Sequence, residues 1–141
     1  MAAATAVGLA LVTDARSGIY VLAVTPSRVN DGDMVRVRIS AGLRLWERIP
    51  LYVVRSDQAL RPHACHGNGL CEPKVAGPPT RGPYVRIGTV SFRQHRRQVV
   101  SFKMPAVLAG RYEIAFYCGA CYRGPGGSLI ASPQVAFTVG R

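Results

Sequence analysis

A short stretch of the chain carries the side chains best able to bind a metal ion. His63, Cys65, His66 and Cys71 lie within nine residues of one another, and all four are ligand types that zinc and copper accept. The spacing of the two cysteines does not match the Cys-x-x-Cys pairs of common zinc sites. A zinc or copper site at these four residues is therefore an alternative to a structural role for the stretch.

A second pair of cysteines, Cys118 and Cys121, has the Cys-x-x-Cys spacing of metal knuckles and of thiol–disulfide oxidoreductases. Redox chemistry of that kind needs the motif at the N-terminus of a helix, whose dipole lowers the pKa of the reactive thiol. Here the pair follows an alternating apolar segment and precedes a glycine-rich loop. A thiol–disulfide redox protein is therefore the more distant alternative.

The elements that must position these cysteines are predicted to be strands. Fifteen glycines and ten prolines in 141 residues are typical of short strands joined by turns, and 48% apolar residues suffice for one core. Val35, Val37 and Ile39 share one face of the clearest period of two. We predict an all-β protein with an immunoglobulin-like antiparallel β-sandwich of seven or eight strands. We expect these strands at 18–25, 34–41, 49–55, 84–92, 99–104, 111–118, 128–131 and 134–139.

Two aromatic residues have structural interpretations. Tyr112 follows Gly110 at the entrance to a strand, where its hydroxyl can bond an upstream carbonyl as in a tyrosine corner. An ordinary core aromatic is an equally good interpretation of Tyr112. Trp46 precedes the third strand, and we expect its side chain to be buried at one end of the core. The alternating strands predict a core that includes Val35, Val37, Ile39, Val53, Phe102, Tyr112, Ile114, Phe116 and Phe137.

The predicted disulfides depend on the position of one long loop. Residues 56–83 lack periodicity and connect the third and fourth strands. In an immunoglobulin-type sandwich the third and sixth strands are antiparallel neighbours, so the loops that follow them lie at opposite ends. Cys65 and Cys71 are then far from Cys118 and Cys121, unless the long loop folds back along the whole sheet. We therefore predict the disulfides Cys65–Cys71 and Cys118–Cys121, with the first one stapling the long loop.

The N-terminal segment has the apolar composition of an export signal. Residues 1–12 are small and apolar and residues 13–16 turn polar, although the basic start of a secretory signal is missing. We expect residues 1–17 to be a signal-like or flexible extension, and residues 18–141 to form one domain. Paired cysteines also favour an oxidising compartment, so we predict a secreted or cell-envelope protein. No apolar run approaches the ~20 residues of a membrane-spanning helix.

Two segments resemble parts of a known group of domains. VTPSRVNDGDMVRVRI resembles the opening of bacterial immunoglobulin-like surface domains, which turn between their first two strands at a Pro-Ser-x-Val-x-x-Gly-Asp sequence. MPAVLAGRYEIAFYCGACY resembles the Cys-x-x-Cys segment near the end of secreted immunoglobulin-like domains from high-GC Gram-positive bacteria. The resemblance covers about a quarter of the chain. It implies the sandwich fold and export, and it does not explain the cysteines of the long loop.

The acidic residues do not form a catalytic set. Glu47, Glu72 and Glu113 are isolated from one another in the sequence, and Glu113 is predicted on the outer face of its strand. The pairing of carboxylates that general acid–base catalysis uses is therefore missing from the pattern. We predict no enzyme activity and no cofactor.

The chain is strongly basic, with 18 Lys and Arg against seven acidic residues and a net charge of +11. Arg36 and Arg38 share an outer strand face, while Arg93, Arg96 and Arg97 lie in a turn, so the cations are scattered. Scatter favours general electrostatic attraction over the recognition of a base sequence. We expect a binding or structural module whose partner is an anionic envelope polymer or another envelope protein, without sequence-specific binding to nucleic acid.

Overall fold

The computed structural model describes residues 19–41, 48–65, 67–91, 97–121 and 125–140. The proposed extension 1–17, Trp46 and His66 lie outside these described residues. The described residues are all-β, with twelve strands and two turns of 3-10 helix at Gly119–Cys121 and Pro133–Val135. The strands are β1 (Ile19–Thr25), β2 (Arg28–Val29), β3 (Met34–Ala41), β4 (Arg48–Arg55), β5 (His63–Ala64), β6 (Leu70–Cys71), β7 (Lys74–Val75), β8 (Val85–Ser91), β9 (Arg97–Lys103), β10 (Gly110–Cys118), β11 (Gly127–Ala131) and β12 (Phe137–Val139).

Two sheets form the body of the protein. A three-stranded antiparallel sheet has the order β1-β3-β9. A seven-stranded sheet has β10 at its centre, with β4 and then β8 on one side. On the other side of β10, β11 pairs with its C-terminal half and β12 with its N-terminal half. Beyond these two strands, the short strand β7 pairs with β11, and the short strand β2 pairs with β12 in the parallel direction.

The core lies between the two sheets because alternate side chains of both face inward. All nine residues of the predicted core are buried. Val35, Val37 and Ile39 come from the three-stranded sheet, and Ile114 and Phe116 are among the residues that meet them from the other sheet. This packing of two sheets over a shared apolar core is that of a β-sandwich.

Four two-residue strands raise the strand count above the predicted seven or eight. Three of them lie within the stretch 56–83, which was expected to lack strands. Strands β5 and β6 form a hairpin, while β7 joins the edge of the seven-stranded sheet at β11. These pairings are too short for hydrophobic periodicity to indicate them.

The long loop does not stay at one end of the sandwich, and this part of the prediction is wrong. Strand β4 ends at Arg55, which lies beside Tyr112 at the start of β10. Lys74 lies beside Ser128, which in turn pairs with Cys118 at the other end of β10. The loop therefore runs along the outer face of the seven-stranded sheet, because apolar side chains on that face bind it.

Candidate functional site

The outer face of the three-stranded sheet carries a group of exposed cations. In β3, Val35 and Val37 are fully buried, so the alternation turns Arg36 and Arg38 outward into solvent. The neighbouring strand β9 contributes Lys103 and other exposed residues to the same face. We call this surface the basic face, defined by Arg36, Arg38, Arg97 and Lys103 together with Met34 and Val99.

The register between β3 and β9 brings the cations of the two strands together. Met34 lies opposite Lys103, and Ser40 lies opposite Arg97. Between them, Arg36 and Arg38 lie opposite Ser101 and Val99. Arg97 was predicted in a turn and the cations were predicted to be scattered, but Arg97 begins β9 and the strand pairing collects four cations on one face. The pattern of each strand alone could not reveal the register between them.

Acidic residues are absent from the three described strands that form this sheet. Asp31 and Asp33 precede β3 in a turn whose backbone bonds to Met104, just beyond Lys103. The carboxylate of Asp33 accepts a hydrogen bond of 2.8 Å from the backbone N–H of Asn30. The positive potential is therefore strongest at the Arg36, Arg38 and Arg97 positions and weaker at the Lys103 end.

Two shallow depressions lie on the basic face. One of about 250 Å³ is lined by Thr25, Arg36, Arg38 and Val99. Another of about 120 Å³ is lined by Leu22, Arg97 and Val99 among others. Met34 and Val99 are 53% and 55% exposed. The face thus combines cations with aliphatic side chains, a combination suited to a partner with charged groups on a flexible carbon chain.

The outer face of the seven-stranded sheet is covered instead by the chain's own loop. Tyr52 and Val54 of β4 and Ala115 of β10 point away from the core but are fully buried. Tyr84 and Leu129 complete this second apolar cluster. The backbone N–H of Leu129 donates to the carbonyl of Pro73 at 3.0 Å, which fixes the loop to the sheet.

An ion pair that the sequence did not predict joins Arg61 of this loop to the buried Glu113 of β10. Glu113 lies on the outer face of its strand, as predicted, but the loop covers it and its side chain is only 2% exposed. Arg61 donates two hydrogen bonds to its carboxylate, at 2.6 and 2.5 Å, and a third to the carbonyl of Ser56 at 3.1 Å. These bonds to Glu113 raise the pKa of Arg61. The available signal was that Glu113 is flanked on its own strand face by Ala115 and Tyr117, which a solvated face would not favour.

Two tyrosines beside the ion pair differ in their hydrogen bonds. The Tyr84 hydroxyl accepts a bond of 2.8 Å from the backbone N–H of Leu60. The Tyr52 hydroxyl is buried and has no hydrogen-bond partner in the part of the chain that the structure describes. The rings meet edge to face with centroids 6.2 Å apart. Burial raises the pKa of both phenols.

The cysteines of the long loop form a disulfide that closes the β5–β6 hairpin. Cys65 and Cys71 are bonded, with their Cα atoms 5.7 Å apart, and the N–H of Cys65 donates to the carbonyl of Gly69. His63 lies opposite Cys71 and is exposed. With both sulfurs bonded to each other, neither is a thiolate ligand in this state. Among the described residues, no group of three or more His, Cys, Asp or Glu side chains could hold a metal ion.

The second disulfide links Cys118 and Cys121, whose Cα atoms are 5.4 Å apart. Cys118 is the fully buried last residue of β10, and Cys121 packs against the same core. The residues between them form a single 3-10 turn, so neither sulfur lies at the start of an α-helix. The helix dipole that lowers the pKa of an oxidoreductase thiol is therefore missing from this motif.

Tyr112 forms the hydrogen bond of a tyrosine corner. Its hydroxyl donates to the backbone carbonyl of Leu108 at 2.7 Å, across the turn that leads into β10. The ring is buried against Phe137, with centroids 6.3 Å apart. Burial raises the pKa of its phenol. These contacts give Tyr112 a structural role, since its hydroxyl is engaged with the backbone.

Within the described residues, no helix has the length and apolarity needed to cross a membrane.

Comparisons with known proteins return little. No protein-family model matches the chain, and no curated protein matches it. Among solved structures, the chain is similar to a superoxide reductase (neelaredoxin) from Ignicoccus hospitalis, with a TM-score of 0.43 and 15% sequence identity. That match covers 86% of this chain and 79% of the other. Likeness at this level bears on neither fold family nor function, so function is inferred from this chain's own residues.

Proposed function

We propose that the protein is an exported, non-enzymatic module of immunoglobulin-like fold that binds an anionic polymer of the cell envelope through its basic face. The observation that carries the proposal is the concentration of Arg36, Arg38, Arg97 and Lys103 on strands without acidic residues. A surface of one charge sign attracts polyanions and accelerates their association. The described residues offer no comparably built catalytic set.

The order of the strands supports the immunoglobulin-like assignment. Three strands face a sheet in which β8, β4, β10 and the β11–β12 edge are neighbours, with β2 parallel to β12. Tyr112 at the start of β10 bonds back to Leu108, as a tyrosine corner does in Greek-key sandwiches. The two segments that resemble secreted bacterial immunoglobulin-like domains contribute β3 and β10, which are central strands of the two sheets.

Two disulfides support export. Disulfides persist in oxidising compartments and are rare where glutathione and thioredoxin keep thiols reduced. Both bridges here join residues close in sequence, and Cys65–Cys71 staples an exposed hairpin. Bridges of this kind stabilise local structure in a domain that works outside the cell.

The test is binding to purified anionic envelope polymer at low and high salt. We expect the double variant Arg36→Ser/Arg38→Ser to bind roughly thirtyfold more weakly at low salt, since each cation near a polyanionic surface contributes about 1 kcal/mol. The matched control is Arg81→Ser/Arg111→Ser, which removes the same charge from exposed positions outside the basic face. Equal loss in both variants would refute the assignment of the site.

The same preparation separates this function from the alternatives. Intact-mass measurement after thiol labelling without reductant is expected to find no labelled cysteine, because all four are bridged. Four labelled thiols together with one bound zinc or copper would replace the proposal by a metal site at His63, Cys65, His66 and Cys71. A single readily reduced pair at Cys118 and Cys121 would instead favour redox chemistry.

A further inference from the structure

The four cations of the basic face occupy four successive outward positions along two neighbouring strands, evenly spaced in the strand direction and offset sideways by at most one strand spacing of about 5 Å. Taking the register of β3 against β9, successive outward positions carry Lys103, Arg36, Arg38 and Arg97 in that order. Each step along the strands advances by two residues, and each step holds one cation. Two come from β3 in the middle, and one comes from β9 at each end. We call these four positions the cationic stripe.

The length of each step follows from strand geometry. Two residues of extended backbone span about 7 Å, so the stripe covers about 20 Å from Lys103 to Arg97. Two residues also correspond to six backbone bonds, from one Cα atom to the next but one. The stripe therefore presents one positive charge for each six-bond repeat of an extended chain.

A phosphodiester polymer with three carbon atoms between its ester oxygens has the same repeat. From one phosphorus to the next there are six bonds: two P–O, two C–O and two C–C. One negative charge falls on each repeat, and the single bonds resemble those of a peptide in length. Such a polymer, extended along the strands, can place successive phosphates near successive cations.

We propose that the cationic stripe binds a linear polyol phosphate of poly(glycerol phosphate) type, with successive phosphates over Lys103, Arg36, Arg38 and Arg97. The proposal rests on the proposed function and names the polymer. Arginine suits phosphate because its guanidinium can donate two parallel hydrogen bonds.

Neighbouring side chains fit the rest of such a polymer. Thr25 and Ser101 flank Arg36 on the two adjacent strands and are exposed, so their hydroxyls can bond the hydroxyl of a polyol. Val99 beside Arg38 offers an aliphatic contact for the carbon chain. The outward positions of β3 and β9 hold no aromatic ring, and Tyr20 of β1, opposite Ser40 at one end of the stripe, is the only aromatic residue at an outward position of the three described strands. Single-strand binding surfaces stack successive bases on several such rings. The surface therefore favours a polymer without bases.

The first experiment measures the affinity of the whole protein for glycerol phosphate oligomers of two to eight units. We expect affinity to rise steeply up to four phosphates and only slightly beyond, because the stripe holds four cations. The logarithm of affinity should fall with the logarithm of salt concentration with a slope of about −3, as four contacts to a single-stranded polyanion predict. A steep rise that continues to eight phosphates would overturn the proposal.

The second experiment moves one charge without changing the net charge. Arg38→Ser should weaken tetramer binding roughly fivefold to tenfold. Adding Val99→Arg returns a cation to the same step from the neighbouring strand, and we expect it to restore affinity to within threefold. Adding Ser101→Arg instead puts the cation at the step of Arg36, and we expect no such rescue. Val99 and Ser101 are both exposed on β9, so the two double variants are matched.

The outcomes distinguish this inference from the proposed function. If both double variants regain affinity equally, or if inorganic polyphosphate of equal charge binds as tightly as the glycerol phosphate oligomer, charge matters but spacing does not. The polymer assignment then fails while polyanion binding survives. If an oligothymidylate with the same number of phosphates binds tenfold more tightly, the ligand is a nucleic acid and the assignment also fails. If no polyanion binds, both proposals fail.

Discussion

The outer faces of the two sheets differ in what covers them. The outer face of the three-stranded sheet is open and carries Arg36, Arg38, Arg97 and Lys103 in solvent. Part of the outer face of the seven-stranded sheet lies under the loop between β4 and β8, where Arg61 of the loop bonds the buried carboxylate of Glu113. The same sandwich thus leaves one face open to solvent and uses part of the other to hold its longest loop.

The two faces could be distinguished by their strand patterns. Strand β3 alternates strictly, with buried valines and exposed arginines. In β4 the residues from Ile49 to Val54 are buried without interruption, which means that both sides of the strand are covered. A strand that loses its alternation in the middle of an antiparallel sheet therefore indicates a second layer over that sheet.

The largest expected change in the free energy of unfolding comes from removing the cation of Arg61, the loop residue that bonds Glu113. Arg61→Ala leaves the buried carboxylate of Glu113 without its partner, and breaking a buried ion pair in this way costs about 3–5 kcal/mol. Arg61 itself is 42% exposed, so water can partly replace it and we expect about 3 kcal/mol. Urea denaturation at neutral pH measures the free energy of unfolding.

The control for Arg61 is an ion pair of similar geometry on the surface. Arg55 bonds Asp57 at 3.1 and 3.0 Å, but the Asp57 side chain is 64% exposed. Arg55→Ala should therefore cost at most about 1 kcal/mol. The double variant Arg61→Met/Glu113→Met should recover most of the loss, since no unpaired charge remains. If Arg61→Ala costs no more than Arg55→Ala, the covered face does not depend on its ion pair.

The parts of the fold that sequence predicts are those with a period of two. The core positions of β3 and β10 follow from the alternation of Val35, Val37 and Ile39 and of Tyr112, Ile114 and Phe116, which are all buried. The close spacing within each cysteine pair likewise indicates a local bridge. These inferences work because neighbouring residues of a strand determine its inward side without reference to distant parts of the chain.

The covered face and the cationic stripe depend on contacts that no local pattern carries. Arg61 and Glu113 are 52 residues apart in the sequence, and the path of the loop between β4 and β8 depends on that contact and on the pairing of β7 with β11. The stripe depends on the register that places Lys103 opposite Met34, which also joins distant segments. Register and loop path need three-dimensional structure, because many alternatives satisfy the same hydrophobic pattern.

An intermediate effect is expected from the two tyrosines under the loop. Tyr84→Phe removes the acceptor for the N–H of Leu60 and should cost about 1 kcal/mol. Tyr52→Phe removes a buried hydroxyl that has no hydrogen-bond partner among the described residues, so it should be neutral or slightly stabilising. The two substitutions show how much the hydrogen bonds of the covered face contribute to stability, because the same change is made at two neighbouring hydroxyls of which only that of Tyr84 has a partner among the described residues. Equal losses would show that the Tyr52 hydroxyl has a partner after all.

These phenols also predict a dependence on alkaline pH. Burial raises the pKa of Tyr52 and Tyr84 in the folded state, while the unfolded chain releases the protons near pH ~10. The folded state therefore holds more protons above that pH, and stability falls as the pH rises through this range. Below it these groups contribute no pH dependence. Unfolding free energies at about pH 8 and about pH 10.5 should differ less in Tyr52→Phe than in the unmodified protein.

The smallest expected effect on stability comes from the open face. Arg36→Ser/Arg38→Ser should change the free energy of unfolding by no more than about 0.5 kcal/mol, because both side chains are exposed and their strand is held by the buried valines between them. The same double variant is expected to bind polyanions much more weakly, so its affinity should fall while its free energy of unfolding stays nearly unchanged. Thermal unfolding with and without glycerol phosphate oligomer measures both, since at equal ligand concentration the oligomer should raise the melting temperature more in the unmodified protein than in the variant. A loss of stability comparable to that of Arg61→Ala would mean that the arginines of the open face hold the sheet together, and the contrast between the two faces would disappear.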